Sequence, residues 1–247
     1  MPEHELWLTA LFNDYLAGAA NAILGVFKVH AENPARPWEN WIVMELLVVA
    51  ILMVLAAAVR ASLSPDKPGK LQHIFELLYG FLKTQASEVG IHHPEKYSAF
   101  FGTLFVFIAV MNLIGIIPIF ESPTMEVSVP AGLALCTWIY YHYMGVRELG
   151  PGQYLKHFLG PVLALAPLMI FIEIIGHVAR MLSLTVRLYG NMFAGEALTN
   201  VFMTMAVTRL VVPAVFMALH VFVALLQAYV FSLLTMIYVS MATSHEH

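Results

Sequence analysis

Apolar runs as long as a lipid bilayer is thick place the strongest constraint on this chain. The run "WIVMELLVVAILMVLAAAV" occupies residues 41–59, and similar runs occupy residues 100–120 and 129–146. A helix that spans a hydrocarbon core of about 30 Å needs about 20 apolar residues, because each residue adds about 1.5 Å. Since 60% of the 247 residues are hydrophobic and only 11% are charged, the composition excludes an ordinary soluble domain. We predict an all-α polytopic membrane protein.

Two longer apolar stretches follow, at residues 161–208 and 212–240. As continuous helices they would measure about 65 and 45 Å, which exceeds the thickness of a hydrocarbon core of about 30 Å. Helices of this length must tilt, kink or break. We therefore predict about five membrane-embedded helices, of which the last two form a long, steeply tilted hairpin.

The segment between the first two runs predicts a helix of a different kind. It opens with Pro65 and Pro68. Its apolar residues then recur at helical spacing: Leu71, Ile74, Phe75, Leu78 and either Phe81 or Leu82. One apolar stripe on an otherwise polar helix is typical of an amphipathic helix. We expect it to lie on the membrane surface or against a partner protein.

The distribution of Lys and Arg outside the apolar runs predicts the orientation of the chain. The residues on one side of the membrane are Arg60, Lys67, Lys70, Lys83, Lys96, Arg147 and Lys156. Those on the other side are Lys28, Arg36 and Arg209. Because cytoplasmic loops carry the excess of positive charge, the N-terminus is expected outside and the C-terminus in the cytoplasm. Residues 1–40 then form an extracytoplasmic tail, and residues 41–247 form one integral membrane domain.

The positive charges are spread thinly along the chain, whose net charge is -4. There is no polybasic block of the kind that binds a phosphate backbone. The charge pattern therefore predicts no nucleic-acid partner.

Polar residues occupy one face of the predicted fourth helix. They are Glu173, His177, Arg180, Arg187 and Asn191. At 100° per residue they fall within a sector of about 80°. An ionisable group at the bilayer centre costs from about 2.5 to more than 10 kcal/mol, so such residues normally face a cavity or a partner. For the first three residues the alternative is a structural cluster that holds helices together.

Arg187 has no acidic residue within one turn of the predicted helix. Glu173 lies four turns earlier, and Glu196 lies on the opposite side of the helix. The other apolar runs offer only Glu45 and Glu148, near their ends. Because an unpaired buried charge is strongly destabilising, we expect the counter-charge to come from another subunit.

A second polar set lies beyond the arginine and consists of Glu196, His220 and Gln227. Glu196 follows Arg187 by about 13 Å of helix, and Glu173 precedes it by about 21 Å. This arrangement suits two aqueous half-paths that meet at a fixed positive charge. A carboxylic acid near His220 could relay protons. A hydrogen-bonded Glu196–His220 tether between the last two helices is the alternative, and the two interpretations are compatible.

Three motifs resemble one known family. The stretch "SLTVRLYGNMFAGE" at residues 183–196 closely resembles the signature helix of subunit a of the rotary F-type ATP synthase of bacteria. The stretch "HVFVALLQAYVFSLLTMIYVSMA" at residues 220–242 resembles the final helix of that family. The stretch "MNLIGIIP" at residues 111–118 is similar to the end of its second helix. The resemblance covers most of the chain from about residue 41 onward.

The resemblance implies a role for the polar residues. In this family the arginine, here Arg187, faces a ring of c subunits whose carboxyl groups carry protons or sodium ions. The residues that match the half-channel open to the outside are Asn191, Glu196, His220 and Gln227. The residue that matches the inner half-channel is Glu173. Further candidates, without an assigned role, are Ser183, His177, Arg180 and Asn112.

The same resemblance implies a function and a location. The chain would be the stator subunit of the membrane Fo sector, in which protons are transferred, with sodium ions left open, while ATP chemistry resides on other subunits. Its expected partners are the c ring, the subunit b peripheral stalk, the rest of the F1Fo complex and lipid, with no cofactor and no metal. The expected location is the bacterial inner membrane.

The chain departs from the family pattern at two positions. Family members often have a proline where Met181 stands, and some have an aspartate where Gly115 stands, so the second helix is expected to contribute less to the outer path. Two other classes are alternatives. A secondary transporter would bind an anionic solute at Arg187 and would usually show an internal repeat, and none is visible. A scaffold subunit without ion conduction would leave Arg187 replaceable.

Overall fold

The computed structural model describes most of the chain. The described residues are 5–26, 28, 33–64, 67–117, 119–154, 166–204 and 211–244, without the side chains of residues 200, 202–204 and 211–214. Their principal helices are α1 (Trp7–Val26), α2 (Asn40–Ser62), α3 (Lys70–Glu88), α4 (Ser98–Ile114), α5 (Ser128–Leu149), α6 (Ala166–Thr204) and α7 (Val211–Thr243). No strand occurs among these residues, and the predicted all-α class is confirmed.

Three helices within the described residues are long and apolar enough to cross a membrane, at Asn40–Ser62, Ala166–Thr199 and Val215–Thr243. The apolar helix α4 is shorter, with 17 residues. It ends at Ile114 rather than near residue 120 because the chain turns there, with a hydrogen bond from Ile116 N to Leu113 O. Together with α5, these helices match the predicted membrane-embedded segments in order and position.

The last two long helices pack against each other as a hairpin. α6 has 39 residues and α7 has 33, which correspond to about 58 and 50 Å of helix. The predicted stretches at 161–165 and 205–208 lie outside the described residues. A steep tilt remains a prediction, and it rests on these lengths against a hydrocarbon core of about 30 Å.

The main core forms where α4, α6 and α7 meet. Its fully buried side chains include Ile108 and Met111 of α4, Leu188 of α6, and Ala224 and Ala228 of α7. Small residues let helix backbones approach closely, which matters in lipid because no hydrophobic effect drives helices together there. Ala224 lies against α4, where its carbonyl oxygen accepts a hydrogen bond from Asn112 Nδ2 at 3.3 Å.

A second core cluster lies at the end of the bundle where α3 and the end of α5 meet α7. It contains Phe101, Tyr141 and Val239. Exposed ion pairs join the cation-rich segments at this end, at Lys83–Glu95 (3.2 Å) and Lys96–Glu148 (3.1 Å). A backbone hydrogen bond within the turn, and then Lys83, lower the pKa of Glu95. Lys83 and Lys96, two of the cations counted for the orientation, thus lie at the same end of the bundle.

Helix α3 confirms the predicted amphipathic element, and it packs on α2, α4 and α7. Leu82 and Ala86 are buried, and Leu78 packs beside them. Ile74 and Leu77 remain exposed. The helix therefore has apolar residues left over for the membrane surface or a partner, as its pattern predicts.

Helix α1, with 20 residues, occupies half of the predicted N-terminal tail of residues 1–40. The apolar pattern did not predict it, because its polar residues Asn13, Asp14 and Asn21 interrupt the apolar run. The helix packs against the beginning of α2. The N-terminal forty residues therefore include an ordered element attached to the membrane domain.

Gly115 lies at a close approach between the end of α4 and the connection to α5. A Cβ atom at this position would lie 2.7 Å from Ser122 N and 2.8 Å from Ser122 Cα. Ser122 is held there because its hydroxyl donates to Met111 O at 3.0 Å. An aspartate, as in some family members, would not fit at this position without movement of the connection.

We predict that Gly115→Ala destabilises the protein by about 1–3 kcal/mol, the usual cost of forcing an extra carbon into packed structure. The matched control is Gly132→Ala in α5, where a Cβ meets nothing within 4 Å. Thermal unfolding in detergent, followed by circular dichroism, compares the two variants. Equal midpoints for both would contradict the prediction.

Candidate functional site

The guanidinium of Arg187 lies on a half-exposed face of α6, beside the buried Leu188. The one hydrogen bond that it makes to a described side chain runs from its NH2 group to Ser183 Oγ, at 3.5 Å. Among the residues that the structure describes, no carboxylate forms an ion pair with it. The chain thus presents this charge at its surface without a described counter-ion.

One turn further along α6, a polar contact joins the two long helices. Asn191 Nδ2 donates to Gln227 Oε1 of α7 at 2.7 Å. Gln227 is 1% exposed, and its Nε2 has no hydrogen-bond partner among the described residues. A buried amide group with a spare donor next to Arg187 is a site where a water molecule or a passing polar group could bind.

One turn further along α6 lie Gly195 and Glu196, and His220 of α7 lies beside them. Residues of the two helices that lie side by side in this way are described below as sharing a level of the hairpin. The His220 ring packs directly on the α6 backbone, because a Cβ at Gly195 would lie 2.7 Å from its Nε2 and 2.8 Å from its Cδ2. Glu196 follows Gly195 and is half-buried. The structure thus brings Glu196 and His220 of the second predicted polar set to one level of the hairpin, while Gln227 lies at the level of Asn191.

The predicted tether between Glu196 and His220 is not formed through Nε2. This nitrogen is buried and has no hydrogen-bond partner among the described residues. The helices contact each other at this level through the packing of the ring against Gly195, which a larger side chain would prevent. The spacing of Glu196 and His220 could not show this, because the contact involves a glycine that carries no chemical signal of its own.

At the other end of α6, Glu173, His177 and Arg180 form a cluster. Glu173 Oε1 lies 3.3 Å from His177 Nε2 and 3.8 Å from Arg180 NH2. His177 Nδ1 shares a hydrogen bond of 2.7 Å with Tyr141 OH of α5. The Arg180 guanidinium lies 5.6 Å from the ring centre of Tyr238 in α7. The cluster therefore links three helices, as the structural alternative predicts.

A small cavity adjoins this cluster. Its volume is about 20 Å³, and its lining includes Glu173, His177, Arg180 and Tyr154. A polar cavity of this size is large enough for one water molecule. The cluster thus holds α5, α6 and α7 together and also offers a hydrated position beside a carboxylate.

Asn112 has a structural role in α4. It is fully buried, its Nδ2 donates to Ala224 O at 3.3 Å, and its Oδ1 accepts from Thr124 Oγ1 at 2.8 Å. The side chain thus ties α4 and the α4–α5 connection to α7. Of the further candidates, Ser183 contacts Arg187, and Arg180 and His177 belong to the cluster around Glu173.

Sequence reasoning missed two tyrosines that contact the cluster of Glu173, His177 and Arg180. Tyr141 and Tyr238 lie on α5 and α7, far from the polar stripe in sequence. The aromatic run "WIYYHYM" at residues 138–144 signals a polar-tipped aromatic segment in the membrane. It does not show which tyrosine faces α6.

The fold and these contacts define an integral membrane protein whose longest apolar helix carries ionisable groups at successive levels. The comparison with known families now identifies the group: the model of the ATP synthase A chain family matches residues 41–240. The chain therefore belongs to this family.

The chain is similar to proteins of several bacteria that are named ATP synthase subunit a. The protein from Solibacter usitatus is 58% identical over 237 residues, which cover 96% of this chain and 100% of the relative. The protein from Koribacter versatilis is 49% identical over 244 residues, with 99% of each chain covered. The protein from Geotalea uraniireducens is 39% identical over 201 residues, with 81% and 86% covered.

We predict that Tyr141→Phe destabilises the protein by about 1–3 kcal/mol, because it removes the 2.7 Å hydrogen bond between Tyr141 OH and the buried His177 Nδ1. Tyr143→Phe is the matched control, since Tyr143 lies on the same helix with 59% of its surface exposed. Thermal unfolding of both variants measures the difference. If the Tyr143 variant lost as much stability as the Tyr141 variant, the proposed hydrogen bond would contribute nothing.

Proposed function

We propose that this protein is the stator subunit of the membrane Fo sector of an ATP synthase, and that it transfers protons to and from carboxyl groups of a rotating c ring. The observation that carries the proposal is the Arg187 guanidinium, which a long apolar helix presents without a described counter-ion. The family match and the names of the relatives support the same conclusion.

A ring carboxylate is the group that Arg187 requires. A charge in the hydrocarbon region is costly unless it is paired, and no described carboxylate of this chain pairs the half-exposed guanidinium. A positive charge nearby favours the ionised form of a carboxyl group. A protonated ring carboxyl that approaches Arg187 therefore releases its proton, and the arginine separates the two paths.

The outer path would run through the polar groups shared by α6 and α7. These are Asn191 and Gln227 at one level, and Glu196 and His220 at the next. The unpartnered Nε2 atoms of Gln227 and His220 offer binding positions for water. Histidine and carboxylic acid side chains can exchange protons with water near physiological pH, which makes this level suitable for a relay.

The inner path would begin at Glu173. Its carboxylate lies beside the water-sized cavity and next to His177. The cluster that holds the helices together would thus also accept protons released at Arg187. The structural and conducting interpretations of the cluster are compatible.

Rotation would be driven by the membrane potential. One elementary charge that crosses the membrane yields about 2.3 kcal/mol per 100 mV. The ion would bind on the ring rather than on this chain, so the choice between protons and sodium ions would be made by the ring. No cofactor or metal is required of this chain, and ATP chemistry would occur on other subunits.

The proposed partners are the c ring, the subunit b peripheral stalk, the remainder of the F1Fo complex and lipid. The proposed location is the bacterial inner membrane, with the N-terminus outside and the C-terminus in the cytoplasm. The excess of Lys and Arg on one side of the membrane supports this orientation.

We predict that Arg187→Ala abolishes ion-driven ATP synthesis while the complex still assembles, because the ring carboxylate loses its counter-charge. The matched control is Arg147→Ala, at an exposed position in the last turn of α5. Synthesis is measured in inverted membrane vesicles, and assembly is measured by co-purification of the subunits. Full synthesis in the Arg187 variant would refute the proposal.

We also predict that Glu196→Ala and His220→Ala each slow proton flux several-fold without loss of the complex. Flux is followed by a pH-sensitive dye in vesicles that carry the Fo sector alone. Leu219→Ala is the control, since Leu219 precedes His220 on α7 and is 51% exposed. Unchanged flux in both variants would leave these residues with a packing role only.

A further inference from the structure

Helix α1 is amphipathic, but it buries polar residues against the protein and exposes its large apolar side chains, which is the reverse of a helix on a water-exposed surface. The residues that it buries against the protein are Thr9, Asn13 and Ala20. The large apolar side chains that it exposes are Trp7, Leu11, Tyr15, Leu16, Ile23 and Val26. At 100° per residue the exposed set covers about half of the helix circumference. This half carries no charged residue.

The polar side of α1 is held by specific hydrogen bonds. Asn13 Nδ2 donates to Trp38 O at 3.0 Å, and Trp38 N donates back to Asn13 Oδ1 at 2.9 Å. Asn21 Nδ2 donates to Pro34 O at 2.7 Å, and Trp38 Nε1 donates to Leu16 O at 3.0 Å. These bonds fix the rotation of the helix about its axis. The apolar half of the helix therefore faces away from the protein.

The same bonds attach α1 to the end of the membrane domain. Leu6 N donates to the side chain of Asn40, the first residue of α2, at 3.1 Å. Asn40 Nδ2 in turn donates to Glu121 Oε2 in the α4–α5 connection, also at 3.1 Å. Helix α1 therefore lies where α2 begins, at the level at which a membrane-spanning helix meets the bilayer surface.

The position and composition of α1 indicate what covers its apolar half. It is not one of the candidate spans among the described residues, and its polar residues Asn13, Asp14 and Asn21 interrupt its apolar run. Helix α2 is a candidate span, and its exposed apolar residues, which include Leu46, Val49 and Met53, form a surface of the kind that faces lipid and that begins close to α1. Trp and Tyr, here Trp7 and Tyr15, are enriched at the headgroup level of membranes.

We propose that α1 is an interfacial helix whose apolar half lies in the boundary between lipid headgroups and acyl chains. Bilayer lipid is the partner that this surface fits, because a charge-free half-cylinder beside a membrane span is continuous with the lipid-facing surface. The helix thereby holds the beginning of α2 and the α4–α5 connection at a fixed depth. This inference requires only that the chain is an integral membrane protein.

The test uses nitroxide labels on single cysteines in the full chain, within its purified membrane complex in vesicles of phosphatidylethanolamine and phosphatidylglycerol. The background variant is Cys136→Ser, which removes the free cysteine of the described chain. Labels are placed through Leu16→Cys and Ile23→Cys on the apolar half. The matched control is Asp14→Cys, an exposed position at the edge of the polar side.

We expect the labels at residues 16 and 23 to collide several-fold more with dissolved oxygen than with a water-soluble nickel chelate, and the label at residue 14 to show the reverse. Strong nickel access at residues 16 and 23 would show that water covers this surface and would overturn the proposal. Low access to both reagents would show that a protein covers it, which also overturns the proposal. If Leu16→Cys prevents assembly, Ala19→Cys on the same half gives the same comparison.

Discussion

The cost of placing the Arg187 charge in a membrane governs how the rest of this structure is arranged. An ionisable group in the hydrocarbon region costs from about 2.5 to more than 10 kcal/mol, and no described carboxylate of the chain offsets that cost with an ion pair. The charge is tolerated because α6 buries Leu184 and Leu188 and leaves the arginine on an adjacent, half-exposed face. The helix packing thus presents the arginine at the surface of the described chain, where the proposed ring carboxylate could reach it.

Close packing between α6 and α7 places the other polar groups around this charge. A Cβ at Gly195 would collide with the His220 ring, and small residues are the means by which membrane helices approach each other. Their approach brings Gln227 within hydrogen-bond distance of Asn191 and seats the His220 ring on Gly195. The interface between α6 and α7 therefore positions the polar groups at two successive levels of the proposed outer path. Tyr141 of α5 and Tyr238 of α7 contact the cluster around Glu173.

Much of the fold and part of the site could be predicted from local patterns. The length of an apolar run predicts a spanning helix because bilayer thickness is fixed, and the 100° rotation per residue placed Glu173, His177 and Arg180 on one face, where they do contact each other. Asn112 could not be interpreted in this way. Its polarity made it a candidate without an assigned role, yet both ends of its amide group bind within the protein, one of them to Ala224 of α7.

The sequence by itself determined the class of protein, the order of the membrane helices and the isolation of Arg187, because hydrophobicity and helical periodicity act over a few turns. Only the tertiary structure decided which polar groups share a level, that His220 rests on Gly195, and that α1 buries its polar side. These features depend on the distance between helices and on which hydrogen-bond partners that distance brings together. The distance between two helices cannot be read from the spacing of residues along the chain.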